Sequence, residues 1–202
     1  MKKVNIVVGR FQPFTKGHYS CVTAAKRFNG LPTVICMIGV PESKVDSRHP
    51  FPSNMLVDAY SDLFSNDSKV ADVIPVKNAD IVHIADELRK HGYEIASWTC
   101  GTDRYNDYTR ISNKYHDMAG LSDDFEVIEV PRTDEDISAT KVRNCLLNGD
   151  RNGFYSMIPQ SASASDARDL YNTLKEQIDK VIKHENLSRR VKRLENMLFN
   201  NF

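Results

Sequence analysis

The stretch "GRFQPFTKGH", residues 9–18, gathers an arginine, a proline, a histidine and two glycines directly after a short apolar run. Gly9 lets the chain turn tightly and lets the backbone come close to a ligand. Gly17 and His18 stand where a helix begins. A helix start presents unpaired N–H groups and the positive end of the helix dipole, a setting that favours phosphate. His18, in the first turn, can aim a ring nitrogen at the same anion. Arg10 adds a permanent positive charge with forked donors. By itself the stretch also fits a plain strand-to-helix turn, and it lacks the GxxxxGK[ST] order of a Walker loop.

A second segment, "ISATKVR" (137–143), offers matching chemistry. Ser138 and Thr140 can supply hydroxyl and backbone donors at another helix N-terminus, and Arg143 lies in the first turns of the same helix. Alone it reads as an N-capped helix with a surface arginine. Two anion-ready helix starts on one sheet could hold both ends of a polyphosphate.

The elements that must position these residues follow from hydrophobic patterning. "VNIVVG", "TVICMIGV", "VADVIPV", "EIASWTCG" and "FEVIEVP" are apolar runs without strict alternation, the mark of strands buried on both faces. Between them lie amphipathic segments. "HYSCVTAAKRF" is predicted to turn Tyr19, Val22, Ala25 and Phe28 to one face. "SNMLVDAYSDLF" starts with Ser53 as expected N-cap, and "DIVHIADELRKHG" with Asp80. "SATKVRNCLLNG" is capped by Ser138 and closed by Gly149. Alternation of strand and helix predicts a doubly wound parallel sheet of five strands with helices on both faces. Ligands of such folds sit beyond the carboxyl ends of the strands. "GRFQPFTKGH", "GTDRYNDY" (101–108) and "PRTDEDIS" (131–138) all leave such ends.

The texture changes after about residue 160. "QSASASDARD" is small and polar, with Ser165 or Asp166 as expected cap. Beyond it Leu174, Ile178, Val181, Leu187, Val191, Leu194 and Leu198 recur at helical spacing, giving one or two amphipathic helices. The expected division is a catalytic domain over 1–160 and a C-terminal helical extension over 161–202. The extension could support a homo-oligomer. Its "RRVKR" cluster (189–193) fits a solvated helix face, with an anionic contact as the minority reading.

The bulk numbers narrow the class. With 27 basic and 27 acidic residues the chain is net neutral, which argues against nucleic acid as a bulk electrostatic partner. No run approaches the roughly 18 apolar residues of a membrane span, and "MKKVNIVVG" is too short for a signal h-region. Four scattered cysteines without a CxxC pair read as reduced, buried thiols rather than a zinc site. A cytoplasmic location is expected.

In order and placement the two segments resemble the nucleotidylyltransferase superfamily, whose signatures are (H/T)xGH near the N-terminus and ISxTxxR near the C-terminus. Here these are Thr15-Lys16-Gly17-His18 and Ile137 to Arg143. The longer "GRFQPFTKGH" and Pro50-Phe51 resemble the nicotinamide-mononucleotide adenylyltransferases most closely. The resemblance covers roughly residues 3–159 and implies a Rossmann-like nucleotidyltransferase fold. It implies that Thr15 and His18 bind nucleotide phosphates and steady the transition state, with Arg10 assisting. It implies that the backbone at Gly9 and Phe11, with Gly17, cradles the nucleotide, and that Ser138, Thr140 and Arg143 hold the β- and γ-phosphates. "CGTD" (100–103) resembles a stretch that sets Gly101 and Asp103 near the ATP ribose. The chain departs from the closest branch in having Thr15 where histidine is usual, and "PSNML" after Phe51 where an acidic–arginine pair is usual. No match is found for the aromatic that stacks on nicotinamide. Trp98, the single tryptophan, sits in an apolar strand and reads as core.

The implied reaction is transfer of AMP from ATP to a phosphorylated acceptor, with nicotinamide mononucleotide as the first choice and NAD⁺ and pyrophosphate as products. Mg²⁺ would be held mainly by the nucleotide phosphates rather than by protein ligands. An acceptor monoester, with a second pKa near 6, is already a dianion at neutral pH. No strong general base is therefore needed, and none is found. The alternatives are a cytidylyltransferase, a phosphopantetheine-type adenylyltransferase, or a non-catalytic nucleotide-binding regulatory protein.

Overall fold

The computed structural model describes residues 1–131, 137–159 and 163–199, with the side chains of Leu194 and residues 197–199 outside that description. The described residues form one parallel five-stranded sheet of β1 (Lys2–Gly9), β2 (Thr33–Ile38), β3 (Val70–Val76), β4 (Tyr93–Gly101) and β5 (Glu126–Val130), in the order β3-β2-β1-β4-β5. β1 pairs with both β2 and β4, so the chain reverses its winding at the β1–β4 neighbourhood. That reversal opens a crevice at the carboxyl ends of these two strands.

Alternation along the central strands builds a core on each face of the sheet. Val7, Ile35 and Met37 point to one side, where α1 (Lys16–Asn29), α2 (Ser53–Leu63), α5 (Ala139–Asn148) and α6 (Arg151–Met157) contribute Val22, Leu56, Val142 and Phe154. Val4, Ile6, Val8 and Cys36 point to the other, against α3 (Ile81–Lys90) and α4 (Thr102–Ala119). α7 (Ala164–Phe199) lays Leu170, Leu174 and Ile178 on the first side, and Val181 is buried further along it. No helix of the described residues is long and apolar enough to cross a membrane.

Several local expectations change. Phe28 is 51% exposed, because the buried face of α1 runs through Cys21, Val22 and Ala25 instead. Ser53 is the first residue of α2, not its cap. Pro52 holds the N-cap position, with its fixed φ suited to the extended backbone there. α6 was not legible as a separate helix, being only seven residues long. Among the described residues the tail is one helix, capped by Ser163 rather than Ser165 or Asp166 alone. The Ser163 hydroxyl accepts from Asp166 N–H and the Asp166 carboxylate accepts from Ser163 N–H. Cys21, Cys36 and Cys100 are buried as expected, but Cys145 is half-buried. Asp80, Ser138 and Gly149 cap as expected. Leu187 and Val191 are half-exposed, and the side chains of Leu194 and Leu198 lie outside the description.

Candidate active site

The loop from β1 to α1 is built around one unusual backbone conformation. Phe11 has φ 47°, in the left-handed region that non-glycine residues rarely adopt, and its ring is buried. A Cβ at Gly9 would sit 2.7 Å from Cε1 of that ring. Gly9 therefore makes room for the Phe11 ring. Gln12 then turns inward. Its side chain donates to the carbonyl of Phe51 (2.7 Å) and accepts from Phe51 N–H (3.1 Å). Phe14 N–H donates to the Tyr60 hydroxyl at 2.7 Å, and burial pushes that phenol well above its ordinary range.

α1 begins with a capping box in which an imidazole stands where Glu or Gln is usual. His18 N–H donates to Thr15 Oγ1 (3.4 Å), and Thr15 N–H donates to His18 Nδ1 (3.0 Å). Nδ1 must therefore carry the lone pair, and the neutral ring bears its proton on Nε2. The ring is held between Phe11 and Phe14, at centroid distances of 5.1 and 5.3 Å. The same pair of hydrogen bonds ends the loop, starts the helix and sets the imidazole's tautomer.

The second segment reaches this loop through Arg143. Its Nη1 donates to the carbonyl of Gln12 at 2.5 Å, and its Nη2 to Thr140 Oγ1 at 3.0 Å. Burial lowers its pKa, while the Asp46 charge works the other way. Ser138 Oγ accepts from Lys141 N–H and caps α5. A Cβ at Gly17 would lie 3.9 Å from the carbonyl of Ile137, so the two helix starts are adjacent.

Two polar residues from the loop after β2 join them. Arg10 Nη1 lies 3.4 Å from His49 Nε2, and His49 Nδ1 lies 3.5 Å from Asp46 Oδ1. A guanidinium can only donate, so His49 Nε2 accepts and the ring proton faces Asp46. Asp46 also accepts main-chain N–H from His49 and Arg48, and these bonds hold its carboxyl below the usual carboxylate range. Across the crevice, Gly101 caps α4, and its Cα faces Asp103 Oδ1 closely enough that a Cβ would stand 3.0 Å away. Desolvation and the Asp103 charge push the Cys21 thiol up to about 11.

Thr15, Gly17, His18, Ser138, Thr140 and Arg143 thus converge with Arg10 and Phe11 at one end of the sheet, and Gly101 and Asp103 close the β4 side. Trp98 does not join them. It is fully buried among the side chains under α3 and α4 and stacks on Tyr108 at 3.9 Å. Residues 132–136 of the "PRTDEDIS" stretch lie outside the described residues. The sequence reading missed Gln12, Asp46, His49 and Tyr60. Only the Asp46-to-His49 turn carried a local signal, an aspartate accepting from N–H groups two and three residues on. Among the described residues no group of three or more His, Cys, Asp or Glu is placed to hold a metal ion.

A family model described as cytidylyltransferase-like matches residues 6–145, which contain most of the sheet and the starts of both α1 and α5. The chain belongs to the cytidylyltransferase-like family. That family falls within the nucleotidyltransferase superfamily. By sequence, no curated protein matches this family member. Among solved structures it resembles a bifunctional NMN adenylyltransferase/ADP ribose pyrophosphatase from Francisella tularensis complexed with AMP and a Mn ion. The TM-score is 0.57 at 21% identity, covering 98% of this chain and 56% of that one. The chain therefore spans little more than half the length of that relative. It also resembles the Plasmodium falciparum nicotinic acid mononucleotide adenylyltransferase complexed with NaAD. There the TM-score is 0.52 at 14% identity, covering 86% of this chain and 98% of that one. At these identities the likeness speaks for the fold.

Proposed function

We propose that this nucleotidyltransferase moves AMP from ATP to a phosphorylated acceptor, nicotinamide mononucleotide, giving NAD⁺ and pyrophosphate. One observation carries the reading: the Arg143 guanidinium is bonded to the Gln12 carbonyl, so both phosphate-binding segments serve one cleft. Structural neighbours whose names specify nicotinamide and nicotinic acid mononucleotides support the choice of acceptor, as does the stretch Gly9 to His18.

In this reading an acceptor phosphate oxygen attacks the α-phosphorus of ATP. The bond to the oxygen bridging the α- and β-phosphorus breaks, and pyrophosphate leaves with that electron pair. The acceptor is already a dianion, so no proton need be removed. The Nε2–H of His18 donates to an α-phosphate oxygen as charge develops there. The N–H groups at the start of α1 face the same anion. Arg143, Thr140 and the start of α5 hold the β- and γ-phosphates and align the leaving group. Gly101 and Asp103 border the ribose. The site is rich in cationic and N–H donors, and a divalent ion fits it as a passenger on phosphate oxygens and water. Mg²⁺ bound in that way supplies further neutralisation of the triphosphate charge. The Mn ion in the Francisella complex supports a divalent ion in this role.

Incubation with ATP, Mg²⁺ and nicotinamide mononucleotide, followed by mass detection of NAD⁺ and pyrophosphate assay, tests the proposal. Release of pyrophosphate only with CTP, or only with another phosphorylated acceptor, would replace the substrate. Tight ATP binding with no release for any acceptor would leave a nucleotide-binding regulator.

A further inference from the structure

The apolar stripe of α7 runs Leu174, Ile178, Val181 with helical spacing, and its next position is a carboxylate, Glu185. Glu185 is only 23% exposed and turns toward the body of the protein. Its Oε1 accepts from the main-chain N–H of Ser47 at 2.7 Å, across 138 residues of sequence. Its Oε2 is steadied by Arg189 one turn on, at 3.3 Å. Two turns earlier, Gln177 Nε2 donates to the carbonyl of Pro50 at 3.1 Å. The helix thus grips the main chain on both sides of Arg48 and His49. That gripped segment carries His49, which faces Arg10, and Asp46 just before it accepts from the His49 main chain. Pro50 leads directly into Phe51, the partner of Gln12. The extension therefore connects to the phosphate-binding side chains by two hydrogen-bonded routes.

We propose that Glu185, with Gln177, is a positioning residue of the phosphate site: α7 fixes residues 47–50 so that His49 holds Arg10, and Phe51 through Gln12 holds Arg143, ready for the triphosphate. The inference rests on reading that site as the triphosphate site. Arg10 is exposed and long, and an arginine held before binding loses less freedom when phosphate arrives. The effect belongs to affinity rather than to the chemical step.

Steady-state kinetics against ATP, with Mg²⁺ and the acceptor saturating, measure it on the full chain. Loss of a charge-assisted hydrogen bond in Glu185→Ala is expected to raise KM for ATP about tenfold while kcat stays within about twofold. Glu185→Gln, whose amide oxygen still accepts from Ser47, is expected to recover most of that loss. Gln177→Ala is expected to raise KM in the same sense. In a His49→Ala background the Glu185→Ala step is expected to shrink, because the route is already cut. Hydrogen exchange at the Ser47 amide should speed up in Glu185→Ala without a fall in the melting temperature. An unchanged KM overturns the proposal, as does a Glu185→Gln variant as impaired as Glu185→Ala, or an undiminished effect in the His49→Ala background. If the wild type binds ATP but makes no product, the proposed reaction fails. The ATP affinities of wild type and Glu185→Ala then decide this inference alone.

Discussion

The guanidinium of Arg143 donates to the main-chain carbonyl of Gln12, a residue 131 positions earlier. The bond joins the start of α5 to the loop before α1, and both ends matter. Arg143 loses part of its conformational freedom before any ligand arrives. The half-buried guanidinium also satisfies a carbonyl that the tight turn at Phe11 leaves outside the sheet.

Arg143→Ala should lose both functions. The expected cost is on the order of 3 kcal/mol in the transition state, seen mainly in kcat/KM for ATP. A smaller loss of stability, about 1–2 kcal/mol, should accompany it because the Gln12 carbonyl loses its donor. Pyrophosphate-release kinetics and urea unfolding read the two separately. Arg143→Lys should recover charge but not the paired bonds to Gln12 and Thr140, and should stay well below wild type.

His18→Ala should lower turnover by roughly 10²- to 10³-fold while the protein still folds. Its stability cost should be near that of a lost cap, about 1 kcal/mol. Thr15→Ala removes the other half of the box and should cost a similar amount of stability, measured by thermal unfolding. A His18→Ala enzyme with wild-type turnover would remove His18 from the mechanism.

Gln12→Ala breaks two buried hydrogen bonds to Phe51 at once and leaves both main-chain groups of Phe51 without that partner. A loss of about 2–4 kcal/mol is expected, read from the urea midpoint at constant m-value. Activity should fall further than stability alone explains, since Gln12 also presents its carbonyl to Arg143. A Gln12→Ala protein as stable as wild type would mean that the loop is held elsewhere.

Asp46 predicts an acid-side dependence. Its N–H bonds to His49 and Arg48 lower its folded pKa. The contribution is therefore fully present above the ordinary carboxylate value of about 3.9 and fades as pH falls through the lower folded value. Asp46→Asn should be less stable than wild type at neutral pH, and the gap should close on acidification. Asp46 is half-exposed, so the gap should be small. Urea midpoints for both proteins at stepped pH provide the measurement; a gap that widens in acid would reverse the sign argued here.

Much of the fold was legible because its rules are short-range. Apolar runs alternating with amphipathic segments define a wound parallel sheet, and Asp80 and Ser138 cap helices through bonds to residues two or three positions away. His18 and Thr15 belong to the same class, since a capping box is complete within four residues. The misassigned tail cap arose where several residues of similar capping chemistry, Ser163, Ser165 and Asp166, crowd one helix start. Phe28 was placed on the wrong face by a one-residue ambiguity in helical phase.

By itself, the sequence determined the order of strands and helices and the two helix starts suited to phosphate. It did so because caps, apolar periodicity and glycine turns are properties of neighbouring residues. Only the tertiary structure decided that Gln12 pairs with Phe51, that Arg143 reaches the Gln12 carbonyl, and that Glu185 holds Ser47. These contacts join residues 39, 131 and 138 positions apart. No local pattern encodes them. They exist because strand order and the packing of α5 and α7 on one face of the sheet carry distant loops to the same edge, where hydrogen bonds repay the entropy of bringing them together.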